Sequence, residues 1–119
     1  MTDHPRILLV EDDVLTGMMM TDLLEGASFA VDGPYRTLSD AMAALAAGFP
    51  DFALLDITLG ADDSRLVAED LERYGIDYAF CSGRPPDGNL FSQLDHPQFL
   101  HKPIDPAALI RTVRAATHH

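Results

Sequence analysis

The sequence predicts an α/β fold in which a parallel β-sheet lies between layers of helices. Short apolar runs alternate along the chain with segments that have helical periodicity. The runs are apolar throughout rather than at every second residue, which is typical of strands covered on both faces. Both features are expected when helices connect the strands of a parallel sheet. The length of 119 residues is sufficient for one such domain.

Five apolar runs predict five strands. They lie at residues 7–10, 29–31, 52–55, 78–81 and 99–100. Each of the five runs is followed directly by a polar or charged residue, which marks the end of the strand. Ligand sites in such sheets lie outside the carboxyl ends of the strands, so these boundary residues are the candidates for function.

The first two helices are predicted from apolar spacing and from boundary residues. Residues 14–26 form the first, with Gly26 as its stop. Four of its apolar side chains recur at helical spacing, namely Leu15, Met18, Met19 and Leu23. Thr37 or Ser39 is suited to cap the second helix, which runs to about residue 47.

The later connections are less uniform. Residues 64–74 predict an ordinary helix. Residues 84–97 contain two consecutive prolines and a glycine, so at most a short irregular helix is expected around residues 90–94. The last helix begins at Pro106, and Asp105 is its predicted N-cap.

Composition excludes several classes of function. There are 8 Lys and Arg residues against 19 Asp and Glu, for a formal charge of −11. Binding to nucleic acid or to an acidic membrane requires clustered basic residues, so neither is expected. One cysteine excludes a disulfide framework and a thiolate zinc site. The chain has no apolar run long enough for a signal peptide or a membrane span, so a cytoplasmic location is expected.

The predicted strand ends bring ionisable groups to one crevice. The first strand ends at Glu11 and Asp12, the third at Asp56, the fourth at Ser82 and the fifth at Lys102. Carboxylates at one edge repel each other, and Mg²⁺ is the natural counter-charge because it binds carboxylates while keeping positions for water and phosphate oxygens. An aspartate beside it can act as a nucleophile toward phosphorus, with the ammonium and the hydroxyl contacting phosphoryl oxygens.

Four segments carry a resemblance to a known family. In order, residues 7–13, 54–59, 80–83 and 99–103 resemble the signature blocks of the receiver domain of two-component response regulators. The resemblance implies a flavodoxin-like, doubly wound (βα)5 fold of strand order 2-1-3-4-5 with a short or irregular fourth helix. It also implies one CheY-like receiver domain over residues 1–119, without an output domain. The third block is similar to the single-domain receivers of the FATGUY subgroup.

Roles follow from this resemblance residue by residue. The metal ligands fall on Glu11, Asp12, Asp56 and the backbone carbonyl of Thr58, with Mg²⁺ as the ion and Mn²⁺ as a substitute. The phosphoacceptor falls on Asp56. Glu11 stands where an aspartate is more usual and adds one methylene of reach.

The remaining roles concern the phosphoryl group and the switch. The switch hydroxyl falls on Ser82, the phosphoryl contact on Lys102 and the switch aromatic on Phe99, which lacks a hydroxyl. Thr58 and Arg84 border the path of attacking water and are expected to tune the lifetime of the phosphorylated state. Lys102 is the only lysine in the chain.

The resemblance implies a stand-alone response regulator of a phosphorelay. Asp56 is expected to accept a phosphoryl group from a sensor histidine kinase, of the HWE/HisKA2 type, or from a histidine phosphotransfer protein, and phosphorylation to change binding to a downstream protein. Mg²⁺-dependent self-phosphorylation and autodephosphorylation are expected, without turnover of a metabolite. Two alternatives stay open: a receiver-fold binding module that works without phosphorylation, and a phosphohydrolase with an aspartyl nucleophile. The hydrolase is disfavoured because such enzymes carry a second Asp where this chain has Thr58.

Overall fold

The computed structural model describes residues 4–59, 62–83, 94–95 and 97–117, and it confirms the predicted α/β architecture. In chain order the strands are β1 (Arg6–Val10), β2 (Ala30–Tyr35), β3 (Phe52–Asp56), β4 (Thr58–Leu59), β5 (Asp62–Asp63), β6 (Tyr78–Ser82) and β7 (Phe99–His101). Five of them form one parallel sheet in the order β2-β1-β3-β6-β7. Counting only these five, the order is 2-1-3-4-5, as predicted.

Helices cover both faces of this sheet, which explains the continuous apolar strands. The helices among the described residues are α1 (Val14–Gly26), α2 (Leu38–Ala47), α3 (Arg65–Arg73) and α4 (Pro106–Thr117). One core joins alternate residues of β1 and β3 to α2 and α3, and the other joins the intervening residues to α1 and α4. Because successive side chains of a strand point to opposite faces, every central position is buried.

Side-chain caps fix where three of the helices begin. Asp13 accepts a hydrogen bond from the backbone N–H of Thr16 at 2.9 Å, so its role is to cap α1. Thr37, rather than Ser39, caps α2. Asp105 accepts from the N–H of residue 108 at 3.2 Å and starts α4.

The buried residues of α1 are not the apolar residues whose spacing predicted the helix. Its buried residues are Gly17, Met20 and Leu24. Leu15 is 76% exposed and Met18 is 58% exposed, so the apolar residues of the first turns face solvent. Gly17 permits this packing, because a Cβ there would lie 3.0 Å from Cγ of Pro34 in β2.

Two local features add to the predicted elements. Residues 62–63 form β5, which pairs with β4 in a two-residue antiparallel ladder after Asp56. Glu72 of α3 accepts hydrogen bonds from the Tyr78 hydroxyl at 2.6 Å and from the N–H of Asp95. The predicted irregular helix around residues 90–94 lies almost wholly outside the described residues. In the part of the chain that is described, no helix has the length and apolarity that a membrane crossing requires.

Candidate functional site

The site lies at the carboxyl end of the large sheet. Asp56 and Ser82 are the last residues of β3 and β6, whereas Glu11 and Lys102 directly follow β1 and β7. Backbone hydrogen bonds continue past the strand ends and hold these positions. The N–H of Glu11 donates to the carbonyl of Tyr35 at 2.9 Å, and the N–H of Lys102 donates to the carbonyl of Ser82 at 2.8 Å. Neighbouring strands therefore present their terminal side chains at one edge.

Three carboxylates meet at this edge. Glu11, Asp12 and Asp56 each offer one oxygen, and these oxygens lie within 4.8 Å of one another. Glu11 is 1% exposed and Asp56 is 8% exposed, so little water reaches them. Carboxylates that are buried and close together repel each other strongly when all are ionised. The arrangement requires positive charge.

Lys102 supplies part of that charge. Its Nζ lies 2.9 Å from Oε1 of Glu11 and 3.6 Å from Oδ1 of Asp56. The second oxygen of Glu11, Oε2, accepts the backbone N–H of Asp13 at 3.1 Å. The Glu11 carboxylate is thus held at both oxygens, and the ammonium lies between two of the three acids.

The pKa values show that one ammonium does not neutralise the site. Burial, followed by the neighbouring carboxyl groups of Glu11 and Asp12, raises the pKa of Asp56 to about 8, although the ammonium of Lys102 lowers it. Burial alone would lower the pKa of Lys102, but the hydrogen bond to Glu11 and the charge of Asp56 outweigh it, so that pKa is raised. The site therefore holds excess negative charge.

Comparison with solved structures identifies the family. No protein-family profile and no curated protein matches the chain. SdrG from Sphingomonas melonis Fr1 is 31% identical, with a TM-score of 0.80 and 98% of each chain covered. The signal receiver domain of a modulated diguanylate cyclase from Desulfovibrio desulfuricans G20 is 29% identical, with a TM-score of 0.83, covering 98% of this chain and 95% of that one. Chemotaxis protein CheY4 of Vibrio cholerae is 15% identical, with a TM-score of 0.81, covering 96% and 99%.

The chain belongs to the receiver-domain family of response regulators. It is a signalling domain, and its fold is that of CheY. Its three clustered carboxylates form a set of hard oxygen ligands of the kind that Mg²⁺ prefers. The raised pKa of Asp56 supports the fit, because a divalent cation supplies the counter-charge that Lys102 alone does not.

The structure describes three of the other predicted site residues, Ser82, Phe99 and Thr58. Ser82 is partly buried at the end of β6, and the ring of Phe99 stacks on that of Phe80 with 5.6 Å between centroids. Thr58 lies in β4, two residues beyond Asp56, with its backbone paired to Asp63. Arg84 lies outside the described residues.

Two features of this receiver were not predicted from the sequence. The ion pair between Glu11 and Lys102 is one, and the only signal for it was the extra methylene of Glu11. The other is the support of Glu11 by the carbonyl of Tyr35, for which the sequence carried no signal. Cys81, beside Asp56 in the sheet, is buried, and burial raises the pKa of its thiol to about 12, which agrees with a packing role.

Proposed function

We propose that this receiver accepts a phosphoryl group on Asp56 from a histidine kinase or a histidine phosphotransfer protein, and then changes its affinity for a downstream protein. The observation that carries the proposal is the convergence of three carboxylates, two of them on buried residues, with the only lysine at one edge of the sheet. A stand-alone regulator that acts through protein contact also agrees with the charge of −11, which disfavours DNA as the target.

In the proposed transfer, an oxygen of Asp56 attacks phosphorus as the bond from phosphorus to the donor histidine breaks. Glu11, Asp12, Asp56 and the Thr58 carbonyl would hold Mg²⁺. Bound there, the ion neutralises charge on the phosphoryl oxygens. Lys102 contacts another phosphoryl oxygen as a compact point charge. Only an ionised Asp56 is a nucleophile, and with a pKa of about 8 much of it carries a proton at neutral pH when no cation is bound.

The switch would work through Ser82 and Phe99. A phosphoryl group on Asp56 adds acceptor oxygens beside the end of β6, and the hydroxyl of Ser82 donates to one of them. As Ser82 moves toward the phosphoryl group, it leaves space behind it. The ring of Phe99, which is stacked on Phe80, can turn into that space. The edge strand β7 and helix α4 would then present a changed surface to the target. Thr58 and Arg84 would tune how fast water removes the phosphoryl group.

The donor would dock on the exposed apolar side chains at the start of α1. These are Val14, Leu15, Met18 and Met19. They begin two residues after Asp12, so a partner lying on them can bring its phosphohistidine to the site. Methionine side chains adapt to irregular apolar partners. By the similarity of residues 80–83 to the FATGUY type, the partner is a kinase of the HWE/HisKA2 kind.

A phosphotransfer assay against the sensor kinases of the same genome tests this function. The wild-type protein should take the label from at least one phosphorylated kinase in the presence of Mg²⁺, and Asp56→Asn should not. Asp77→Asn, at an exposed position between α3 and β6, is the matched control and should behave as wild type. Equal labelling of Asp56→Asn would refute the proposal. Multiple turnovers of a small phosphate ester at about 1 per second would indicate a hydrolase instead.

A further inference from the structure

Lys102 is bound more closely to Glu11 than to the proposed phosphoacceptor. Nζ is 2.9 Å from Oε1 of Glu11 but 3.6 Å from Oδ1 of Asp56. Glu11 is fully buried, and the N–H of Asp13 fixes its other oxygen. The glutamate therefore offers the ammonium a fixed acceptor next to, but separate from, the reacting carboxylate.

We propose that Glu11 is a positioning residue that holds Lys102 in the cation-free protein and releases it when a divalent cation occupies the three carboxylates. Lys102 would then be available to a phosphoryl group only in the cation-loaded protein. This inference deepens the proposed function and rests on it, because the released Lys102 is meant for a phosphoryl group. The release itself is a response to the cation and involves no phosphoryl transfer.

The Glu11 carboxylate cannot bind the ammonium and a divalent cation equally well at the same time. Oε2 of Glu11 accepts a backbone hydrogen bond and Oε1 contacts Lys102, so a cation that binds this carboxylate competes with contacts that are already made. A cation there also repels the ammonium, because like charges a few ångströms apart in a buried site interact strongly. The competition between Lys102 and the cation depends on the length of the side chain at position 11. Aspartate is shorter by one C–C bond, roughly 1.5 Å, which withdraws its carboxylate from Lys102.

The single lysine makes the release directly observable. Selective ¹³C,¹⁵N-lysine labelling yields side-chain signals from Lys102 alone. During a Mg²⁺ titration without any phosphodonor, these signals should move in the wild-type protein. In the Glu11→Asp variant without a cation, the Lys102 signals should already lie near their positions in the cation-loaded wild type. On addition of Mg²⁺ they should move less than half as far as the wild-type signals do. Glu25→Asp makes the same chemical change at an exposed position of α1 and should follow the wild type.

Mg²⁺ affinity provides a second readout through a double-mutant cycle. Lys102→Met should tighten Mg²⁺ binding by about tenfold when residue 11 is Glu, and by less than about threefold in the Glu11→Asp background. An equal gain in both backgrounds would overturn the proposal, because it would show that Lys102 opposes the cation by charge alone. Lysine signals that stay fixed while Mg²⁺ binds would also overturn it.

Failure of the inference is distinguishable from failure of the proposed function. If Asp56 is not a phosphoacceptor, the lysine signals still respond to Mg²⁺ while no phosphoryl transfer is detected. If only the inference fails, phosphoryl transfer occurs on Asp56, but the two affinity gains are equal.

Discussion

Replacing Asp56 by asparagine should stabilise the cation-free protein, by an amount that grows with pH. Burial, with the neighbouring carboxylates, raises the pKa of Asp56 from 3.8 to about 8. A group whose pKa is raised in the folded state contributes its full stability below the unfolded-state pKa and loses it as the pH rises through the folded-state pKa. The wild-type protein should therefore lose stability relative to Asp56→Asn from about pH 4 to about pH 8.

The size of the effect follows from the same shift. Each pKa unit corresponds to about 1.4 kcal/mol, so the wild type would lose up to about 4 kcal/mol of unfolding free energy at about pH 7 and up to about 2 kcal/mol at about pH 5. These figures are upper limits, because asparagine keeps a buried polar group with its own desolvation cost.

Urea unfolding in EDTA at several pH values between about 5 and 8 measures this difference. Asp22→Asn should show no such trend, since its side chain is exposed. Excess Mg²⁺ should narrow or reverse the difference, because the wild type binds the ion more tightly than the variant does. A variant no more stable than the wild type throughout this range would refute the account of charge repulsion at the site.

Three other substitutions test separate parts of the structure. Lys102→Arg keeps the charge but not the compact ammonium, so the initial rate of phosphoryl transfer should fall by at least about tenfold; a rate within about twofold of wild type would contradict this. Gly33→Ala should cost about 1–3 kcal/mol in urea unfolding, because its φ is +127° and a Cβ would collide with a carbonyl oxygen of β1, whereas Gly26→Ala meets open space and should cost far less. Tyr78→Phe removes the hydrogen bond to Glu72 and should cost about 1 kcal/mol by the same measurement; an unchanged midpoint would show that this hydrogen bond does not stabilise the folded protein.

The central strands were predictable because each must be apolar on both faces. Residues 7–10 and 52–55 read as continuous apolar runs for this reason. The edge strand β2 is longer than residues 29–31 suggested. With only β1 as a neighbour, it accommodates Asp32 and Pro34, which would not suit a central strand.

The pairings between side chains were less predictable from the sequence than the positions of these residues at the strand ends. That acidic residues end β1 and β3 follows from the sequence, and so does the place of Lys102 after β7. Its preference for Glu11 over Asp56 does not, because it depends on distances among three strands of the folded sheet. Glu72 illustrates the same limit, since its partners come from β6 and from Asp95, 23 residues along the chain.

The most direct test of the proposed function is to locate the phosphoryl group itself. The protein is incubated with acetyl phosphate and Mg²⁺ and digested, and its peptides are analysed by mass spectrometry. We expect one hydroxylamine-labile phosphoryl group on the peptide that contains Asp56, which is absent when EDTA replaces Mg²⁺ and absent in Asp56→Asn. A phosphoryl group on another residue, or equal modification of Asp56→Asn, would contradict the assignment of Asp56 as the phosphoacceptor.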